Sequence, residues 1–597
     1  MARSGLPERL GEIVLGVASR CRLWRRERED VAKELCGHFL DGLASGAPAD
    51  RLAADFGDPA AAAKLITAAR KRLRPAWWQV WRMGLRAVGW TTAACLVLYA
   101  IMAARYFLAS PTIGRNYTRE LREAAFANTP ESELAWPLYI RAVREFGPLP
   151  EFMRSEHPDP RRPGDINFEL MTAFLDSHAS ALATVREAAG RPMIGYPWSD
   201  VADPDYSRAL EISNPAYRYD PSAQAPTENP LMIGVLLPHL GEMRKLGRWL
   251  AADAHLAASR RDSQRFIADI EALAGMADQA LREPFIISQM VGVALGQLLC
   301  VTVLEEAADP GLLDARGLRR LAHRIAAIGA GRISIESTGE VLMIEDVIQR
   351  FYSDDGSGGG RLVGSPMREE MWDSWGAARP RGEFILEALR PVQSAVLMPS
   401  RSKIRAEIDR FNSEFARDDQ LPPWRAHERT SDGPYSWLMY DVIGSISPIF
   451  SSLQGGDANT GPMTTGLAHR DRFESMRGAT LAVLALQSYF VAEGRYPPAL
   501  ESLSPEYLPK VPVDPFDGHP LRYVPASATG GPVLYSIGAD ATDDGGVLPP
   551  TEEGRRRMSD LKLFARARKP GEDGRLAASM LESVDGDWIL WPVDENR

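Results

Sequence analysis

A chain of 597 residues exceeds what one hydrophobic core organises, so roughly three or four structural units are expected at about 150 residues each. With 45% hydrophobic and 25% charged residues, the composition is that of a folded protein and excludes global disorder. A formal net charge of −10, with no long basic stripe beyond the N-terminal region, argues against nucleic acid as a partner, because phosphate binding needs a basic face.

The first predicted elements are helices. In EDVAKELCGHFLDGLASGAPADRLAADFGDPAAAAKLITAARKRL, Val31, Leu35, Phe39 and Leu43 recur at spacings of four and form one apolar helix face. Gly46 and Pro48 interrupt the run, Leu52 and Phe56 resume it, and Asp58-Pro59 opens a further helix rich in alanine. This order, with Phe56-Gly57-Asp58-Pro59 at its turn, resembles the short helical domain called HAAS that precedes membrane spans in bacterial proteins. A generic three-helix cap on a membrane anchor has the same pattern.

Next comes the longest uncharged run, AVGWTTAACLVLYAIMAA, between Arg86 and Arg105, extended by Tyr106, Phe107 and Leu108. At about 1.5 Å per residue it matches the hydrocarbon thickness of a bilayer, with Arg105 able to snorkel. Trp77, Trp78, Trp81 and Trp90 crowd its N-terminal side, where an aromatic belt lies. Its distance from the N-terminus argues against a cleaved signal peptide. Lys64, Arg70, Lys71, Arg72, Arg74, Arg82 and Arg86 precede it with no acidic residue between Asp58 and Glu120, so the positive-inside rule places the N-terminus in the cytoplasm.

Beyond the span the pattern is again helical. Residues 148 to 230 are dense in Pro, Asp and Tyr and predict a long irregular surface excursion. Phe266, Ile270, Leu273, Ala277 and Leu281 make one apolar stripe, and Val291, Leu295, Leu298 and Thr302 another after Glu283-Pro284, which predicts antiparallel helices with Asp262 or Ser263 as a cap.

Motifs that carry chemistry are scarce. The four cysteines, Cys21, Cys36, Cys95 and Cys300, are too far apart for paired metal or redox spacing and build no disulfide framework. The nine histidines include no HExxH and no helical zinc-ligand pair. Ser400-Arg401-Ser402-Lys403 fits SxxK, and Ser431-Asp432-Gly433 imitates its companion element, but no KTG follows. In FYSDDGSGGGRL, Asp354 and Asp355 beside glycines fit either a Ca²⁺ loop or a solvated hinge, and the spacing departs from an EF-hand.

The C-terminal stretch is the most patterned. Phe473, Met476, Thr480, Val483, Leu484, Gln487 and Val491 follow a helical face that ends at Gly494 and Pro497-Pro498. PLRYVPA and PVLYSIG are predicted strands joined as a hairpin through Ala528-Thr529-Gly530-Gly531. The helix ending in Gly494, Tyr496 and Pro497, then Pro512, Asp514, Pro515 and Gly518, then Ser536, Gly538, Ala539, Asp540, Gly545 and Gly546, resemble the globular head of the major pseudopilin of type II secretion. That resemblance implies Ca²⁺ at Asp540, Asp543 and Asp544, with Asp560 as a further ligand; an acidic β-turn without metal is the other reading. The leader and assembly helix of a pseudopilin do not precede this head.

The expected fold class is therefore mainly α: a single-pass membrane protein with a helical ectodomain and a small C-terminal α+β pseudopilin-like domain. The expected divisions are 1–84, a cytoplasmic helical domain; 85–108, a transmembrane helix; 109–460, a helical ectodomain; and 461–597, the head. The expected location is the cytoplasmic membrane, with the C-terminal part in the periplasm and other envelope proteins as partners. Binding without catalysis is the favoured function; a signalling anchor, or an enzyme with a site assembled from scattered residues, are the alternatives.

Overall fold

Most of the chain folds as its apolar periodicity dictates, into helices, in a computed structural model that describes residues 5–73, 76–127, 129–150, 152, 165–201, 203–214, 217–218, 228–306, 311–363, 399–429, 462–527, 530–538, 540, 542–551 and 586–592. The chain divides into two compact units, Met1–Ala103 and Ala104–Arg597.

Among the described residues the first unit opens with α1 (Glu8–Arg20), α2 (Arg25–Ala44), α3 (Ala49–Phe56) and α4 (Pro59–Arg72). Val31 and Phe39 of α2 are buried as their spacing predicts, with Leu35 and Leu43 packed beside them. The apolar face of α2 meets α1, an element the periodicity argument above does not include, whose Leu10, Val14 and Val17 are fully buried. Asp58 caps α4, accepting from the amides of Ala60 and Ala61 at 2.9 and 3.1 Å, while Pro59 takes the first helical position; both devices satisfy or remove donors that a helix start leaves free.

Helix α5 (Ala76–Leu108) contains the predicted span. Among the described residues, two helices are long and apolar enough to cross a membrane, Met83–Leu108 and Ile286–Glu306. They differ in burial: none of the apolar window of the first is covered by protein, against 61% of the second.

The second unit begins with α6 (Tyr117–Phe126), α7 (Trp136–Phe146), α8 (Phe168–Ser177), α9 (Ala179–Ala189) and α10 (Pro204–Ser213). Three of these helices lie in the stretch read from sequence as irregular. Pro204 starts a helix rather than breaking one: it occupies the first turn of α10, and Asp203 caps it through the amides of Asp205 and Tyr206. Residues 153–164 and 219–227 of that stretch lie outside the described residues.

Helices α11 (His239–Ser259), α12 (Ser263–Leu281) and α13 (Ile286–Glu306) pack in succession. The α11–α12 turn is capped by Asp262, whose carboxylate accepts from the Arg265 amide at 3.1 Å. Backbones approach closely here. A Cβ on Gly275 of α12 would lie 2.1 Å from the Ala189 carbonyl oxygen, and one on Gly296 of α13 would lie 2.3 Å from the Phe473 ring. Helices α14 (Ala315–Ala326), α15 (Thr338–Phe351) and α16 (Arg401–Gln420) complete this body. Glu340 of α15 accepts from the Ile286 amide at 2.7 Å, capping α13, and burial pushes its carboxyl up to about 7. Cys300 is wholly buried, and burial pushes its thiol up to about 12, so the protonated form prevails.

Helix α17 (Pro462–Glu493) ends at Gly494, whose φ is +69°. Its predicted face is buried at Phe473, Met476, Thr480, Val483, Leu484 and Gln487, and Val491 near its end is 42% exposed. Ala479, Ala482 and Leu486 are buried too, because α17 packs on α13 and α14 as well as on the following sheet. The expected boundary at residue 461 thus falls just before a helix shared between the helical body and the head, inside one compact unit.

The sheet has the order β1 (Arg522–Val524), β2 (Val533–Ser536), β3 (Trp588–Trp591), all antiparallel. The predicted hairpin pairs Tyr523 with Leu534; Ala528 and Thr529 of its turn lie outside the described residues. Strand β3 was not evident in the sequence pattern, because WILW is too short to alternate visibly. It joins β2 through a register irregularity at Leu534/Tyr535.

Candidate functional site

The head is tied together by buried carboxylates. Asp514, with no exposed surface, accepts from the amides of Phe516 and Ile537 and from the Ser536 hydroxyl, each at 2.9 Å, and from Arg522 at 3.0 Å. A turn carboxylate at Asp514-Pro515 thus reaches across to the end of β2, which fixes the turn against the sheet. Arg522 also pairs with Asp517.

Of the three aspartates expected to bind Ca²⁺, Asp540 and Asp543 face different donors. Asp540 accepts from the amides of Thr542 and Gly586, both at 3.1 Å. Asp543 accepts from the Tyr535 hydroxyl at 2.9 Å and the Gly545 amide at 3.0 Å. Asp544 is exposed. Behind the loop, buried Asp587 accepts from the amides of Gly546 and Val547 at 2.7 and 3.3 Å, and burial pushes its carboxyl up. Among the described residues no group of three or more His, Cys, Asp or Glu side chains is placed to hold a metal ion, and Asp560 lies outside them. A Ca²⁺ ion needs six to eight oxygens at about 2.3–2.6 Å, whereas Asp540 and Asp543 each accept from their own backbone amides. The expected result is an equal melting temperature for the full-length protein in millimolar Ca²⁺ and in chelator. A rise with Ca²⁺ that Asp543→Ala abolishes would support the metal reading.

The other sequence candidates are accounted for by local structure. Ser400 is the N-cap of α16, its hydroxyl accepting from the Lys403 amide at 3.4 Å, so this SxxK run serves as a helix start. Ser431-Asp432-Gly433 lies outside the described residues. In the glycine-rich loop, Asp354 accepts from the Gly356 amide and pairs with Arg401 at 2.6 Å, while Asp355 accepts from the amides of Ser357 and Gly359.

Two buried polar groupings were not anticipated. His239 contacts Glu283 at 2.9 Å through Nε2 and stacks on the Tyr196 ring at 4.2 Å, with Trp136 edge-on. The Tyr206 hydroxyl donates to Glu242 at 2.9 Å. His239 has no exposed surface, so its pair with Glu283 joins α11 to the turn between α12 and α13 rather than facing solvent. The second grouping is a charge quartet: Arg186 reaches Asp253 and Asp269 at 2.6 Å each, and Arg265 also holds Asp253. Both carboxylates are fully buried, and burial with the adjacent Asp253 charge pushes the Asp269 carboxyl well up.

Arg186 also forms part of a cleft of about 670 Å³ between α9, α12 and α14. One face of α12 supplies its floor through Ala268, Ala272 and Gly275, and its polar side through Glu271, Asp278, Gln279 and Arg282. Arg191 and Arg324 complete the rim. Gln279 secures the geometry: its amide donates to the carbonyls of Ala188 and Arg191 at 2.8 and 2.9 Å, and its oxygen accepts from the Tyr139 hydroxyl at 2.6 Å. Sequence reading identified the apolar stripe of α12; the cleft uses the helix's other side. Nothing local announces that this side meets arginines from residues 186–191 and 324.

The volume falls within the ~300–1,000 Å³ usual for small-molecule sites, and the rim is rich in guanidinium. No protein family, curated protein or solved structure matches this chain, so the candidate site rests on this geometry.

Proposed function

We propose that the protein is a single-pass membrane protein whose second unit binds another molecule outside the cytoplasm without transforming it. The observation that carries this reading is the exposed apolar surface of α5, where Trp90 is 77% and Phe107 65% exposed. Such a surface is costly in water, at about 25 cal/mol per Å² of apolar area, and is stable in lipid. Met83–Leu108, 26 residues, is about 39 Å long at 1.5 Å per residue, enough to cross a hydrocarbon core of about 30 Å with some tilt. The basic residues ahead of it favour a cytoplasmic first unit and, in a bacterium, a periplasmic second unit. Binding rather than catalysis is supported by the commitment of the buried acid–base groups: His239 to Glu283, and His255 to Glu306 at 2.7 Å. Other envelope proteins are the expected partners.

Reporter fusions after residues 80 and 130 test the topology. The expected outcome is cytoplasmic activity for the first and exported activity for the second. Two cytoplasmic reporters would sink the membrane reading.

A further inference from the structure

We infer that the cleft between α9, α12 and α14 binds a small molecule or chain end through a carboxylate or phosphate group seated on Arg282; this rests on the binding reading of the second unit. The argument is one of charge and shape. Every other cation of the lining has a carboxylate partner: Arg186 is held by Asp253 and Asp269, Arg324 by Asp278 at 2.7 Å, and Arg191 by Glu187 at 3.1 Å. The acids of the lining are equally spoken for. Asp278 is bridged by Arg324 and accepts from the Gly329 amide at 3.0 Å, and Glu271 is held by both arms of Arg320, at 2.5 and 2.6 Å.

Arg282 differs. It donates to the Pro192 carbonyl, at 3.1 Å through Nη1, and among the described residues no carboxylate lies within ion-pair distance of it. It is an exposed residue at the end of α12, four residues beyond Asp278. A guanidinium presents up to five N–H donors in a planar fork, and its matching acceptors are carboxylate and phosphate oxygens, which it binds in pairs. A cation would meet only acids already neutralised by arginine. Below the rim, Ala268 and Ala272 carry only a methyl group, which leaves room beside Arg282 for the rest of the ligand.

The test is titration of detergent-solubilised full-length protein with succinate and, separately, with inorganic phosphate, each against chloride at matched ionic strength. Binding is read by calorimetry and by melting temperature, in wild type, Arg282→Lys and Arg282→Glu. A charge-assisted hydrogen bond lost from the site weakens binding about tenfold or more, so Arg282→Glu is expected to lose binding and Arg282→Lys to keep part of it. Arg282 is exposed, and an unchanged melting temperature of unliganded Arg282→Glu confirms an intact fold. Response to succinate identifies a carboxylate ligand, and response to phosphate a phosphate ligand. No response to either anion, or a response that Arg282→Glu leaves intact, overturns the proposal. The outcome is independent of the reporter fusions: a failed titration leaves the topology result standing, and failed topology leaves the cleft open to titration.

Discussion

Replacing Gly275 by alanine is expected to lower the unfolding free energy of the full-length protein by about 3 kcal/mol, the cost of overpacking a close contact. The sign is the informative part, since Gly to Ala inside a helix ordinarily stabilises by roughly 0.5–1 kcal/mol. Here the added Cβ would lie 2.1 Å from the Ala189 carbonyl oxygen and 2.9 Å from its carbon. Both are backbone atoms at the end of α9, and that end cannot retreat cheaply. Gln279 is bonded to the Ala188 and Arg191 carbonyls on one side and to Tyr139 on the other, so moving α9 away from α12 breaks hydrogen bonds made in a buried place. Gly241 of α11, where an added Cβ meets nothing within 4 Å, is the control and is expected to tolerate alanine with no loss. Denaturant unfolding monitored by circular dichroism measures both variants. A Gly275→Ala protein as stable as wild type would mean that α9 and α12 are not in this contact.

Removal of the Asp471 carboxylate is expected to cost more, about 3–5 kcal/mol, the range found when one partner of a buried ion pair is deleted. Asp471 lies on α17 between two guanidiniums. Arg470 reaches it at 2.9 Å through Nε and 2.7 Å through Nη2, and Arg429 pairs with its other oxygen. All three side chains are only 2–3% exposed. Arg470 continues to the Asp419 carbonyl at 2.7 Å and to the Asp419 carboxylate, and Asp419 in turn accepts from the Ser334 hydroxyl at 2.8 Å. The network thus locks α16 and the residues after it onto α17. In Asp471→Ala, two buried cations remain side by side with one acceptor fewer. The double variant Arg429→Met/Asp471→Ala is expected to be more stable than Asp471→Ala, because it removes one of the stranded charges. Thermal or denaturant unfolding of both decides the matter; a loss below about 1 kcal/mol in the single variant would contradict the buried network.

Both effects arise at positions whose identity conveys little in sequence. A glycine within the helical stretch SQRFIADIEALAGMADQAL reads as a mild defect, and Arg470-Asp471 in a charged segment reads as solvated surface. Only the packing partner reverses each reading. The same holds for the aspartates of the C-terminal loop. Their spacing is compatible with a metal, but Asp540 and Asp543 also accept from groups outside their own turns, Gly586 and Tyr535 respectively.

What the sequence determined by itself follows from regular spacing and from local chemistry. Apolar residues three and four apart specify α2, α12 and α17, because a helix with such a stripe must bury it. Asp58 and Asp262 mark helix starts, because a carboxylate placed there satisfies free amides within its own turn. The apolar run before Leu108 is legible as a span candidate because length and hydropathy are additive properties of a segment. The tertiary structure decided what those properties leave open. Ile286–Glu306 is as apolar as Met83–Leu108, but its surface is mostly covered by protein, whereas that of Met83–Leu108 is not. It also decided that α17 serves the helical body and the head together, that β3 completes the sheet, and that arginines far apart in sequence share one rim with Arg282 left over. Burial and pairing of this kind depend on which surfaces meet, and that is a property of the whole fold rather than of any window of sequence.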